Sequence, residues 1–168
     1  LMELNEKLNK EAHNLTKALK GDVKVQGNWG EVILERILEK SGLIKDREYF
    51  VQSSVTAEDG KRFQPDVVIH LPDNKRIVVD SKVSLIAYER YSSAESSDEQ
   101  IGHLKEHIQS IKAHVKGLQG KNYQNLYGLD GLDFVLMFVP IEGAFNLAVQ
   151  SDNSLFQESF DKNVFLVS

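Results

Sequence analysis

Cysteine is absent from the 168 residues, which excludes disulfides, thiolate zinc sites and cysteine nucleophiles. Long apolar runs are absent too: the longest, residues 134–141, is far shorter than the ~20 residues that a membrane-spanning helix needs. The first residues are charged rather than apolar, so no signal peptide is indicated. We therefore expect a cytoplasmic location, while a membrane anchor elsewhere in a longer parent protein stays open.

Positive charge is in the minority, because 20 Lys and Arg face 25 Asp and Glu and give a net charge of −5. This balance is unfavourable for a nucleic-acid binder, whose affinity comes largely from neutralising phosphates. It does not exclude one, because binding needs only a local basic stripe. A P-loop, a dinucleotide fingerprint and a nucleophile elbow are all missing from the sequence, which argues against ATPase, dehydrogenase and serine hydrolase functions.

Hydrophobic periodicity predicts the order helix, three strands, crossover helix, strand, helix, strand. A long helix between two strands implies a crossover and some parallel pairing, while the three early strands form an antiparallel meander. The length fits one domain with a single core. We therefore predict an α/β fold with a mixed central sheet flanked by helices. The predicted helices cover residues 27–40, 101–118 and 142–150, and the predicted strands cover residues 48–56, 62–71, 75–83, 132–139 and 164–167.

A leucine stripe at the start of the chain has coiled-coil spacing, with polar residues between its members. Two interpretations stay open: the tail end of a longer coiled coil, or a helix packed on its own domain. We favour the coiled coil over residues 1–20, which would allow self-association, because the polar faces are so uniformly solvated. The stripe consists of Leu1, Leu4, Leu8, Ala12, Leu15 and Leu19.

Three charged residues lie where two strongly apolar strands begin or end. Asp66 begins one strand, and Asp80 and Lys82 end the next. Charge at such positions costs free energy unless something compensates it. Two converging carboxylates repel each other unless they share a proton or hold a cation, and Mg²⁺ (or Mn²⁺) suits such oxygen ligands. The pattern favours metal-dependent phosphodiester hydrolysis with Lys82 assisting; the alternative is a surface salt bridge between Asp80 and Lys82.

The loop between these strands gives a test of register. A three-residue turn, residues 72–74, would pair Asp66 with Asp80, whereas a two- or four-residue turn would place Asp66 on the wrong face. We therefore predict an odd-numbered turn or a bulge between the two strands.

The arrangement resembles the PD-(D/E)xK nuclease superfamily: Pro65 and Asp66 on one strand, then Asp-Ser-Lys at residues 80–82 on the next. That superfamily usually places an acid on the helix before the sheet, and Glu31 matches it. More specifically, the chain resembles the RmuC family of bacterial DNA recombination proteins over roughly residues 20–168. The resemblance lies in residues 27–31 (Gly-Asn-Trp-Gly-Glu), 80–85 (Asp-Ser-Lys-Val-Ser-Leu), 88–91 (Tyr-Glu-Arg-Tyr) and 134–142.

The resemblance implies a restriction-endonuclease-like domain over residues 21–168, truncated at its C-terminus, that acts on DNA without a small-molecule cofactor. It implies that Glu31, Asp66 and Asp80 hold Mg²⁺ or Mn²⁺ and that Lys82 assists catalysis. It also implies a preceding coiled coil and, in many members, an N-terminal membrane anchor. Asp80 departs from the glutamate that is common in the superfamily. Three further residues are candidates for supporting the site: Glu35, Arg62 and Gln64.

Two alternatives to a DNA nuclease stay open. One is a catalytically silent DNA-binding or scaffold domain assembled through the coiled coil, and the other is a nuclease-fold protein that acts on RNA. Trp29 is a candidate for base stacking, although a role as a core anchor is favoured. The helix with His103, His107 and His114 lacks the metalloprotease pattern, so we predict a solvated histidine face.

Overall fold

The computed structural model describes residues 23–52, 55–56, 62–81, 85–120 and 134–168. The predicted coiled-coil segment, residues 1–20, lies outside the described residues. The helices in the described part of the chain are α1 (Val23–Lys40), α2 (Ile86–Ser93), α3 (Ser97–Gly120), α4 (Glu142–Ser151) and α5 (Leu155–Phe160). The strands there are β1 (Tyr49–Val51), β2 (Val55–Thr56), β3 (Arg62–Phe63), β4 (Val67–His70), β5 (Arg76–Ser81), β6 (Val135–Phe138) and β7 (Val164–Val167).

A five-stranded mixed sheet organises the molecule, in the order β1-β4-β5-β6-β7. The pairs β1–β4 and β4–β5 are antiparallel, and the pairs β5–β6 and β6–β7 are parallel. A separate two-stranded hairpin joins β2 and β3. The predicted α/β class, the early antiparallel meander and the parallel crossover are therefore confirmed. None of the helices in the described ranges has an apolar stretch long enough to cross a lipid bilayer.

Helix α1 covers one face of the sheet. Its buried Leu34 and Leu38 are four residues apart, so they lie on the same side of the helix. They pack against Val67, Val79 and Phe138, which β4, β5 and β6 contribute to one cluster with Tyr49. Each buried leucine or phenylalanine contributes roughly 1.5–3 kcal/mol to stability by leaving water. Ser41 and Gly42 follow the last helical residue as predicted, and Gly42 adopts φ 84° at this stop.

Helices α3, α4 and α5 cover the opposite face. Val78 points to this face because it alternates with Val79 along β5. The apolar residues that share this cluster are Val78, Ile111, Val115, Leu118, Val135, Met137, Ala148, Leu155, Val164 and Leu166. Each face of β5 is therefore buried against a different set of helices, which explains why this strand is apolar on both sides.

The structure departs from the predicted elements where the chain bends or an element is short. The predicted strand over residues 48–56 is interrupted after Val51 by Gln52, whose φ of 49° lies in the left-handed region. The predicted strand over residues 62–71 is broken between Phe63 and Val67. Helices α2 and α5 were not predicted; they have eight and six residues, too few for a clear 3.6-residue period.

Gly30 brings α1 close to the end of β5. A Cβ atom added at Gly30 would lie 2.8 Å from the Ser81 hydroxyl oxygen and 3.5 Å from Cγ of Pro140. Real Cβ atoms do not approach other atoms as closely as the first distance. The glycine is therefore required by close helix–sheet packing.

Lys112 of α3 joins that helix to the α4–α5 connection. Its ammonium nitrogen lies 2.8 Å from Asp152 and 3.0 Å from Glu158. The hydrogen bond from Lys112, supported by Ser154, lowers the pKa of Asp152 to about 2. The pKa of Glu158 is also lowered, first by Ser154 and then by Lys112. Lys112 is thus engaged in an intramolecular ion pair instead of facing outward as an isolated charge.

Replacing Gly30 with alanine tests the close packing of α1. In the natural background we expect overpacking, which typically costs about 1–3 kcal/mol, to exceed the gain of about 1 kcal/mol in helix propensity. In a Ser81→Ala background the nearest contacts become ordinary ones, so Gly30→Ala should stabilise the fold by up to about 1 kcal/mol. Urea unfolding of the four variants measures both effects. An equal effect of Gly30→Ala in the two backgrounds contradicts the proposed contact.

The ion pairs of Lys112 predict a pH dependence of stability. The folded pKa of Asp152 lies below the unfolded value of about 3.9, so this interaction stabilises the fold above pH 4 and is lost as pH falls towards 2. Because the groups are partly solvated, Lys112→Met should cost less than about 1 kcal/mol at pH 7, and the cost should fall as pH drops through about 2, where Asp152 becomes protonated in the folded state. Urea unfolding at several pH values measures this. Lys116→Met, at an exposed position four residues later, is the control and should show no such pH-dependent difference.

Candidate functional site

The carboxyl ends of the three parallel strands meet at one edge of the sheet. Strands β5, β6 and β7 run in the same direction and end at Ser81, Phe138 and Val167. The antiparallel β4 begins at this edge, immediately after Asp66. In open α/β sheets, ligands commonly bind at this edge, outside the carboxyl ends of the strands. Asp66 and Asp80 therefore lie at the position where a site is expected.

The register of β4 and β5, continued by one residue beyond the last recorded pair, brings Asp66 to the level of Asp80. The observed pairs run from His70–Arg76 to Val67–Val79, and one further step along both strands gives Asp66 and Asp80. The connection is the three-residue 3₁₀ turn Pro72–Asn74, closed by a 2.8 Å hydrogen bond from the Leu71 amide to the Lys75 carbonyl. The prediction of an odd-numbered turn is confirmed. Asp73 takes the left-handed conformation in this turn, with φ of 62°, which aspartate tolerates better than most residues.

Asp66 is fixed to the end of β5 through its side chain. Its carboxylate accepts a 2.6 Å hydrogen bond from the backbone amide of Ser81. Its backbone carbonyl accepts a second, 2.8 Å bond from the amide of Gln52. This bond holds the Asp66 carboxylate beside Ser81, the residue that follows Asp80 in β5.

Asp80 is buried, with 5% of its surface exposed, on the α3 side of the sheet. Its carboxylate oxygen Oδ2 lies 2.7 Å from Nε2 of His114 on α3. A buried carboxylate is costly without a hydrogen-bond partner, and His114 supplies one. The contact explains how an acid is tolerated beside the apolar cluster that contains Val78 and Met137.

Glu31 lies on α1, which covers the other face of the sheet. Its carboxylate accepts a 2.7 Å hydrogen bond from the side-chain amide of Gln52. Gln52 also donates its backbone amide to Asp66 and accepts a 3.2 Å bond from the side chain of Gln64 at its carbonyl. The structure therefore connects Glu31, Gln64 and Asp66 through Gln52, a residue that sequence reasoning missed.

The remaining predicted site residues are only partly described. Glu35 forms an ion pair with Lys45, one helical turn beyond Glu31. Lys82 lies outside the described residues, and so does the side chain of Arg62, whose backbone forms part of β3. The roles assigned to these residues from the sequence therefore stay predictions.

The described acids differ in how well they could serve as ligands for a divalent ion. Among the residues that the structure describes, no group of three or more His, Cys, Asp or Glu side chains is arranged to hold a metal. Glu31 contacts Gln52 on one side, and Asp80 contacts His114 on the other. Asp66 and Asp80 alone suit Mg²⁺ or Mn²⁺ in their chemistry, because one or two carboxylates plus substrate phosphate commonly hold such an ion. The fit is to this pair, and Glu31 as a ligand stays a prediction.

The prediction of a solvated histidine face on α3 is wrong. His107 is fully buried, and its Nε2 lies 2.8 Å from the carbonyl of Ala144. His114 reaches Asp80, whereas His103 is partly exposed beside Glu106. The sequence held the signal: His107 precedes Ile111 by four residues and His114 precedes Leu118 by four, which puts both on the core side.

Trp29 fulfils the favoured structural role. It packs, partly buried, against the cluster of Leu85, Val139, Ile141 and Ala144. This cluster lies beyond the carboxyl edge of the sheet and holds the start of α1 against the β6–α4 connection. Nearby, Gln26 is buried and accepts a 3.4 Å hydrogen bond from the Leu85 amide.

The sequence is similar to proteins of one bacterial family over its whole length. The model of the RmuC family matches residues 1–168. A DNA recombination protein RmuC homolog of Pseudomonas aeruginosa is 54% identical over 100% of this chain and 37% of its own length. The homolog of Vibrio cholerae is 52% identical over 100% of this chain and 33% of its own length. DNA recombination protein RmuC of Escherichia coli strain K12 is 49% identical over 100% of this chain and 35% of its own length. The chain spans about a third of the length of these relatives. With a family model matched over its full length and relatives about half identical throughout, the chain belongs to the RmuC family.

Proposed function

We propose that this chain is a metal-dependent, nuclease-like domain of a DNA recombination protein, with a restriction-endonuclease-like fold of the PD-(D/E)xK superfamily. It hydrolyses phosphodiester bonds in DNA recombination or rearrangement intermediates. The observation that carries the proposal is the register of β4 and β5: its last pair is Val67–Val79, and Asp66 and Asp80 are the next residues along the two segments, at the carboxyl edge of the sheet. The relatives' name, DNA recombination protein, supports DNA as the substrate.

The arrangement of elements supports the superfamily assignment. Helix α1 precedes the antiparallel β4–β5 pair, and the crossover helix α3 leads from β5 to the parallel strand β6. The two strand acids of the motif lie at the ends of these strands: Asp66 immediately precedes β4, and Asp80 is the second-last residue of β5. These positions match those that the superfamily motif assigns to its two strand acids.

Asp66 and Asp80 are the residues that would hold Mg²⁺ or Mn²⁺. Such an ion neutralises charge on the scissile phosphate and lowers the pKa of a bound water. Directly opposed residues of an antiparallel pair have Cα atoms about 4.5–5.5 Å apart, and a register continued by one residue beyond Val67–Val79 would bring the two carboxylates within reach of one small ion. Lys82, two residues after Asp80, would stabilise charge on the phosphate or orient the attacking water. The hydrogen bond from Ser81 keeps the Asp66 carboxylate beside β5.

We also propose that residues 1–20 end a coiled coil through which the protein self-associates, and that the domain works in the cytoplasm. Both statements rest on the sequence pattern and on the resemblance described above. Self-association would present two copies of the domain to one DNA molecule and would raise its effective affinity through multivalency.

A catalytically silent DNA-binding or scaffold domain is the second candidate. The observation that favours it is the absence of a three-ligand metal group among the described residues. The hydrogen bond between Asp80 and His114 also favours the scaffold, because it stabilises the buried acid without any cation. Under this alternative the acids are structural, and DNA affinity does not depend on divalent ions.

Substitution of the paired acids separates the two candidates. The full chain is incubated with labelled duplex, single-stranded and branched DNA in the presence of Mn²⁺. We expect Asp66→Asn, Asp80→Asn and Lys82→Ala each to reduce cleavage at least 100-fold, because each change removes a charge that the reaction requires. Circular dichroism and DNA-binding measurements on the same variants show whether the fold and the affinity survive.

Asp73→Asn is the matched control. Asp73 is an exposed carboxylate in the turn of the same hairpin, at the opposite end from Asp66 and Asp80. Asparagine tolerates the left-handed conformation there, so activity and stability should be unchanged. Metal-independent DNA binding without cleavage by the natural sequence would reject the nuclease proposal and support the scaffold.

A further inference from the structure

His114 contacts Asp80 from the crossover helix, and no role for it follows from the motif. The distance between Nε2 of His114 and Oδ2 of Asp80 is 2.7 Å. The side chain of Asp80 is 7% exposed and that of His114 is 22% exposed, so the contact is largely shielded from water. An ionised carboxylate can only accept hydrogen bonds, which makes Nε2–H of His114 the donor.

The helix around His114 is held rigidly in the core. Ile111, three residues before it, and Leu118, four residues after it, are each almost completely buried, and Val115 is adjacent. Since these residues pack against β5, β6 and β7, the backbone of α3 at His114 cannot shift away from Asp80 without disturbing that cluster. The histidine is therefore a fixed support for the acid.

A carboxylate has two oxygens with about four acceptor sites, so a hydrogen bond at Oδ2 is compatible with a cation at Oδ1. Partners of this kind fix the orientation of ligating groups, and their loss typically lowers metal affinity by roughly 10–100-fold. Glu31 does not take this role for Asp80, because its carboxylate is bonded to Gln52 on the α1 side of the sheet.

We propose that His114 is a positioning residue for the metal site: it donates Nε2–H to Asp80, fixes that carboxylate and thereby sets its affinity for a divalent ion. The inference rests on the proposed function, since it assigns Asp80 as a metal ligand. It adds a residue on the crossover helix α3 to a site whose described acids lie on α1, immediately before β4 and on β5.

Calorimetric titration of the full chain with Mn²⁺ tests the proposal. His114→Leu should weaken Mn²⁺ binding roughly 10–100-fold, the range seen when such a supporting hydrogen bond is removed. His114→Gln keeps an N–H donor at a similar distance from the backbone and should recover most of the affinity. His103→Leu, a histidine on the same helix paired with Glu106, is the control and should bind Mn²⁺ as the natural sequence does.

A metal-free measurement tests the contact itself. In a ¹H–¹⁵N spectrum of the histidine rings, the Nε2 proton of His114 should be protected from exchange and visible. Asp80→Asn should shift it or make it exchange rapidly, while Asp73→Asn should leave it unchanged. If His114→Leu does not fold, this spectrum still tests the contact, because it does not require that variant.

The Mn²⁺ titrations distinguish failure of the positioning role of His114 from failure of the proposed function. If Asp80→Asn abolishes Mn²⁺ binding but His114→Leu binds as tightly as the natural sequence, the positioning role is wrong and the proposed function stands. Failure of His114→Gln to recover any affinity, with its fold intact, also contradicts the role of the donated hydrogen bond. If the natural sequence binds no Mn²⁺, the proposed function fails and the inference fails with it.

Discussion

Strands β4 and β5 are joined by residues 71–75, and the placement of the two acids depends on the length of the 3₁₀ turn Pro72–Asn74 inside this connection. Register in an antiparallel pair is fixed by the turn, and a shift of one residue moves every side chain of a strand to the other face. The turn Pro72–Asn74 sets Val67 against Val79 and so directs Asp66 towards Asp80. The same register places Val67 and Val79 under α1, so it satisfies the core and the candidate site together.

Burial of Asp80 links the site to the packing of α3. Because β5 is covered on both faces, a charged residue near its end needs a polar partner from one of the covering helices. His114 of α3 is that partner. Ile111, Val115 and Leu118 of the same helix belong to the apolar cluster on that face of the sheet. The orientation of the acid thus depends on the same helix that holds the parallel half of the sheet.

The sequence predicted the large elements and the register but missed contacts between distant segments. The length of α3, the final strand β7 and the odd-numbered turn all follow from local periodicity and turn chemistry. The short helices α2 and α5 contain too few residues to show a 3.6-residue hydrophobic period. The bend at Gln52 could not be predicted either, because no glycine marks it in the sequence. The pairing of His114 with Asp80 joins positions 34 residues apart, so only its core-side location on the helix could be foreseen.

The position of Gln52 shows how Glu31 is connected to Asp66. A residue with a side chain rarely adopts a positive φ, and doing so costs roughly 1–2 kcal/mol. Gln52 has φ of 49° and is stabilised by three hydrogen bonds, to Glu31, Gln64 and the Asp66 carbonyl. These bonds offset the backbone cost and hold β1 against the start of β4. Glu31 is therefore connected to the backbone of Asp66 through Gln52, whereas the carboxylate of Asp80 contacts His114 on the opposite face of the sheet. The carboxylate of Asp66 is held by the backbone of β5 and that of Asp80 contacts a helix, and the β4–β5 register brings both acids to the same edge of the sheet.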